Sequence, residues 1–129
     1  MVTLLDEIMA DFPDSSLERI SAATADEVRQ KHPGIPDDYL QVLREVGHGT
    51  IGRGELVLYS GPVSAASVFS DARAGLPLVL VGDDVAGHHL GYLTDRRPWA
   101  FAEFDHCDQV ASPTTSLSSW LADFVAGEG

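Results

Sequence analysis

"VGDDVAGHHLGYLTD", residues 81–95, joins two apolar patterns through a polar turn that contains a glycine. The run LPLVLVG (76–82) leads into it with the continuous apolar character of a buried strand, and HHLGYLT (88–94) continues with strand-like alternation. A connection this short favours antiparallel strands, because parallel neighbours need a longer crossover. The stretch therefore predicts an antiparallel hairpin.

Strand signals continue on both sides of this hairpin. ELVLY (55–59) and PWAFAEF (98–104) are predicted to be strands, and a further short strand is expected around Val110. The stretch GPVSAASVF (61–69) is expected to form a short helix or an irregular connection.

Helical patterns precede the strands. An amphipathic helix is predicted over residues 4–12, and Pro13 ends it. TADE (24–27) has the form of a capping box, with Thr24 as the N-cap of a short helix that runs to about His32.

Two further helices have clear boundaries. GIPDDYLQVLREVGHG (34–49) predicts a helix over residues 36–46, with acidic residues in its first turn and glycines after its end. TTSLSSWLADFVAGEG (114–129) predicts a closing amphipathic helix with Thr115 or Ser116 as its N-cap.

The order of these elements predicts an α+β fold with segregated layers. We expect one domain over residues 1–129, with N-terminal helices and an antiparallel-rich sheet of about five to six strands. The C-terminal helix is expected to pack on the sheet. A chain of 129 residues is long enough to bury a single core.

The charge balance restricts the class of partner. Twenty Asp and Glu residues stand against eight Lys and Arg residues, for a formal net charge of −12. Such a field repels nucleic acid and anionic membranes, so direct binding to either is not expected. It favours encounter with a basic protein, although simple solubility accounts for the charge equally well.

Cys107 is the only cysteine, which excludes an internal disulfide and a cysteine-based zinc cluster. The stretch MVTLLDEIMADF (1–12) has no basic region of the kind that opens a signal peptide, and no apolar run is long enough for a membrane span. We therefore expect a cytoplasmic protein.

The hairpin also concentrates residue types that bind metals, namely Asp83, Asp84, His88 and His89. Successive strand residues point to opposite faces, so at most one of the two histidines can face a given site. A polar hairpin rim is the alternative that we favour. Cys107 beside His106 is not expected to act as a nucleophile, because adjacent residues at a strand end rarely converge. We predict no catalytic residue, no cofactor and no bound metal.

The order of motifs resembles the SUKH superfamily, which includes fungal cell-wall synthesis regulators and bacterial immunity proteins of polymorphic toxin systems. IPDDYLQVLREVGHG (35–49) is similar to the helix start and glycine turn of that family. LVLVGDDVAGHHLGYLTD (78–95) is similar to its hairpin, and SLSSWLADFV (116–125) to its closing helix. The resemblance covers about residues 22–126.

The resemblance implies a binding protein rather than an enzyme. Bacterial single-domain members resemble antidotes that bind and block a cognate toxin domain, often a nuclease. The acidic charge fits that role, because an acidic surface can occupy a basic nucleic-acid groove. The contact residues are expected among Asp83, Asp84, His88, His89, Tyr92, Asp95, Asp105 and Asp108.

Two alternatives belong to other classes. A regulatory or scaffold module would recognise a cellular protein, and a small metal-dependent enzyme would use Asp83, Asp84 and one histidine. Trp120 is expected to be a core residue, since it falls at helical spacing with other apolar residues. The chain is expected to be a monomer or a weak homodimer that associates through residues 61–69 or edge strands.

Overall fold

The computed structural model describes residues 3–68, 75–84, 87–104, 109–111 and 116–127. Within these ranges the helices are α1 (Leu4–Asp11), α2 (Ala22–Lys31), α3 (Asp37–Glu45), α4 (Ala65–Val68) and α5 (Leu117–Val125). The strands are β1 (Ser16–Glu18), β2 (His48–Ile51), β3 (Leu56–Ser64), β4 (Leu78–Asp83), β5 (His89–Leu93), β6 (Ala100–Phe104) and β7 (Gln109–Ala111).

The strands form one meander, in which each strand pairs antiparallel with the next along the chain. The α+β class, the antiparallel sheet and the C-terminal helix are confirmed. The described part of the sheet has seven strands, because β1 and β2 join the five strands that the sequence predicts. At three residues, β1 is too short to show the alternation that identifies a strand from sequence.

Helices α1, α2 and α5 each begin at a residue whose side-chain oxygen accepts a backbone N–H group. Ser116 is the N-cap of α5, and its Oγ accepts the N–H of Ser119 at 3.2 Å, so one of the two predicted caps is confirmed. The predicted N-cap of α2 is wrong. Ser21 takes that position and accepts the N–H of Thr24 at 3.1 Å, which places Thr24 inside the helix.

The stretch 61–69 is divided between two elements. Residues 61–64 complete β3, and residues 65–68 form the single turn of α4. A short helix is thus present, but the first half of the stretch is strand; Phe69 lies outside the described residues.

The sheet buries apolar residues on both faces. On the face covered by α1, α2, α3 and α5, which we call the helix face, the strands contribute Leu56, Leu58, Val81, Leu90, Tyr92 and Phe101 to the main core. On the opposite face, α4 joins a second cluster made of Ala65, Leu78, Leu80, Leu93, Ala102 and Phe104. Strands β4 to β6 are therefore central and apolar on both sides, which explains the continuous apolar run in β4.

A bulge in β4 shifts its pairing with β5. Leu80 pairs with Gly91, whereas Gly82 pairs with Leu90, so Val81 is an extra residue on the β4 side. The shift continues to the end of the strand, where Asp83 pairs with His89.

Glycine at position 91 allows β4 and β5 to approach at this bulge. A Cβ atom on Gly91 would lie 2.3 Å from the carbonyl oxygen of Val79 and 3.3 Å from the Cα of Leu80. Both atoms belong to the paired backbone of β4, so neither can move without disturbing the sheet.

We predict that Gly91→Ala lowers the free energy of unfolding by about 2 kcal/mol, because overpacking against the backbone must be relieved by strand displacement. Gly61→Ala is the matched control in β3, where no atom lies within 4 Å of the added Cβ, and it should change stability by less than about 0.5 kcal/mol. Urea unfolding followed by tryptophan fluorescence measures both. Equal effects from the two substitutions would contradict the proposed close approach.

Candidate functional site

Asp84 and His88 close the β4–β5 hairpin. The N–H of Asp84 donates to the carbonyl oxygen of His88, and the N–H of His88 donates to Oδ1 of Asp84, each at 3.0 Å. Gly87 has φ +103°, a conformation that side-chain-bearing residues rarely adopt. The predicted antiparallel hairpin is therefore confirmed, and it holds His88 beside β6.

A carboxylate on β6 connects this hairpin to the last helix. Oε1 of Glu103 lies 3.0 Å from Nε2 of His88 and accepts the indole N–H of Trp120 at 2.8 Å. The side chains of Glu103 and His88 are 24% and 34% exposed, so water screens this pair only in part. Two groups from different elements thereby fix one oxygen of the carboxylate.

Trp120 is also held by aromatic stacking. Its ring lies 5.5 Å from that of Phe124 with an interplanar angle of 13°, and Phe124 in turn lies 5.7 Å from Phe12 at 17°. The three near-parallel rings join α5 to the end of α1. This stack and the indole hydrogen bond together restrict the orientation of Trp120.

These residues surround a surface cavity of about 290 Å³, which we call the Glu103 pocket. It is lined by Asp84, His88, Glu103, Trp120 and Phe124. The pocket combines two carboxylates with an aromatic wall, and neither Arg nor Lys is among these lining residues. Such a lining suits a positively charged group.

Asp83 and His89 lie on the opposite face of the sheet from this pocket. The Tyr59 hydroxyl donates to Oδ2 of Asp83, and His89 pairs in register with Asp83 on one side and Phe104 on the other. Burial, followed by the hydrogen bond and charge of Asp83, raises the pKa of Tyr59 well above its ordinary value. The predicted separation of the two histidines by strand parity is confirmed, with His88 on the helix face.

The other predicted contact residues that the structure describes belong neither to the Glu103 pocket nor to the cluster around Asp83 and His89. Asp95 is exposed beyond β5, at the other end of the sheet, and its Oδ1 accepts from Nε of Arg96 at 3.1 Å. Tyr92 is 2% exposed and packs edge-on against Tyr39 and Phe101. As a core residue it is not available as a surface anchor, which corrects that expectation. Asp105 and Asp108 lie outside the described residues.

The metal-dependent alternative receives no support from this geometry. Within the described ranges, no three His, Cys, Asp or Glu side chains are placed to hold a metal ion. The hairpin residues divide between the faces, with Asp84 beside His88 and Asp83 beside His89. His106 and Cys107 lie outside the described part of the chain.

Sequence reasoning did not identify Glu103 as a site residue. Its signal was a carboxylate between the apolar residues of WAFAEF (99–104), where a charged residue requires a polar partner. Trp120 packs against the main core, as expected, but it is only partly buried and also lines the pocket.

We predict that Trp120 and Glu103 are energetically coupled. In a double-mutant cycle with Trp120→Phe and Glu103→Leu, the coupling free energy should be about 1 kcal/mol, because a partly buried indole N–H would lose its hydrogen-bond acceptor. The control cycle combines Trp99→Phe with Glu103→Leu, since Trp99 lies at the other end of β6. Additive effects in both cycles, measured by urea unfolding, would contradict the network.

Comparison of the chain with protein-family models, with curated proteins and with solved structures gave no match. Among the helices of the described residues, none has the length and apolar character needed to cross a bilayer.

Proposed function

We propose that this protein binds and neutralises a basic protein partner, as an immunity protein does with its cognate toxin domain, for example a nuclease domain. The Glu103 pocket carries the proposal. It places two carboxylates and an aromatic wall at a fixed hairpin, in a chain with a formal net charge of −12. The resemblance of the chain to SUKH proteins supports the same class of function.

Charge supports the proposal through association kinetics. An acidic protein is steered toward a basic partner, and it can occupy a groove that otherwise binds nucleic acid. Exposed charges mainly affect the association rate, whereas affinity depends on a few partly desolvated anchoring groups. Glu103 and Trp120 fit the second role, because both are partly buried and hold each other in place.

The larger grooves suit a basic partner less well. A groove of about 590 Å³ near α1 and α3 has Arg19 and Arg44 in its lining as well as Asp6 and Glu45. A second groove, between α2 and α3, contains Arg29, which is paired with Asp26 at 3.6 Å and with Asp37 at 2.8 Å. Their charges are therefore mixed, whereas the lining of the Glu103 pocket consists of two carboxylates, one histidine and two aromatic rings.

Coexpression with the product of the neighbouring gene tests this function. We expect the two proteins to copurify and the present protein to protect cells from the activity of that product. A complex with a different cellular protein and no protection would instead favour a regulatory or scaffold module. Failure to form any complex would contradict both functions.

We predict that Glu103→Gln weakens the complex at least about tenfold, because it removes the charge of an anchoring residue. A tenfold loss of affinity corresponds to roughly 1.4 kcal/mol of binding free energy. Asp95→Asn removes one charge from the opposite end of the sheet and should weaken it less than about threefold. Binding kinetics at two salt concentrations measure both variants. Equal losses would indicate that only net charge matters, which would contradict the assignment of the pocket.

A further inference from the structure

We infer that the Glu103 pocket receives the side chain of an arginine from the partner. The inference rests on the proposed function for the source of that side chain. The pocket itself can be tested without the partner, because its chemistry is defined by the residues of this chain.

The first argument comes from the carboxylate of Glu103. Oε1 is engaged by His88 and Trp120, whereas Oε2 accepts no hydrogen bond from the described residues. The carboxylate is therefore fixed in orientation while one of its oxygens can still accept. A preorganised acceptor of this kind favours a charged donor, because little conformational freedom is lost on binding.

The second argument comes from the aromatic wall. Trp120 is anchored by its hydrogen bond and by its stack on Phe124, so a ligand meets a rigid ring system. A guanidinium group is planar and weakly hydrated, and it can stack on an aromatic ring while its N–H groups point sideways toward a carboxylate. An ammonium group has neither property, so the pocket should prefer arginine to lysine.

Size and charge disfavour other occupants. The cavity of about 290 Å³ lies at the lower limit of the range of roughly 300–1,000 Å³ typical of small-molecule sites, so it suits a single side chain better than a large ligand. Asp84 and Glu103 would repel a phosphate or carboxylate ligand.

The test uses Nα-acetylarginine amide as the probe and the NMR signal of the Trp120 indole N–H as the reporter. We expect a saturable shift with millimolar affinity, as for a single side chain. Nα-acetylcitrulline amide has nearly the same shape without the charge and should leave the signal unchanged. Nα-acetyllysine amide should bind at least about threefold more weakly than the arginine probe. The Trp99 indole, near the other end of β6, is the internal reference and should not shift.

Variants separate the pocket from the general acidity of the chain. Glu103→Gln and Asp84→Asn should each weaken binding of the arginine probe, the first by at least about tenfold. Asp123→Asn removes a charge from an exposed position of α5 outside the pocket and should change the affinity less than about twofold. The unfolding midpoint of each variant checks that the fold is intact.

The inference is wrong if citrulline and arginine probes bind equally, if the arginine probe leaves the Trp120 signal unchanged, or if Asp123→Asn weakens binding as much as Glu103→Gln.

Failure of this inference can be distinguished from failure of the proposed function. A partner complex without a Trp120 response to arginine would retain the function and exclude the arginine pocket. A response to arginine without any protein partner would retain the pocket and exclude the function.

Discussion

Between Leu80 and Gly82 the pairing of β4 with β5 shifts by one residue, and the arrangement of charges in the hairpin depends on that shift. An unbroken ladder would place Gly82 opposite His89 and leave Asp83 to face His88. With the bulge, Asp83 lies opposite His89 instead, and Asp84 becomes the residue that closes the turn with His88. One extra residue in a strand thus decides which carboxylate stands on each face.

The consequences extend from the hairpin to the helices. His88 reaches Glu103 on the helix face, and Glu103 binds the indole of Trp120 on α5. A half-buried carboxylate is stable there because one oxygen has two partners. The aromatic stack of Trp120, Phe124 and Phe12 then links this polar group to α1. The pocket is therefore part of the packing between the sheet and the closing helix.

Local sequence predicted most of the fold and only part of the site. Alternation along HHLGYLT (88–94) separated the two histidines, and the amphipathic pattern located α5. Local sequence could not reveal the bulge at Val81, because that bulge depends on close contact between two strands. Nor could it reveal the hydrogen bond between Glu103 and Trp120, because that bond joins a strand to a helix. The choice of Ser21 over Thr24 as N-cap was missed because both residues can cap a helix.

Under the proposed function, the acidic charge would steer association, and the Glu103 pocket would anchor the partner once contact is made. Cross-saturation NMR on the complex of labelled protein with an unlabelled basic partner tests most directly whether the Glu103 pocket is the anchoring contact. We predict the largest signal losses at the amides of Asp84 and His88 and at the Trp120 indole, with little change near Asp95. Losses concentrated around Asp95, with the Trp120 indole unaffected, would contradict the account.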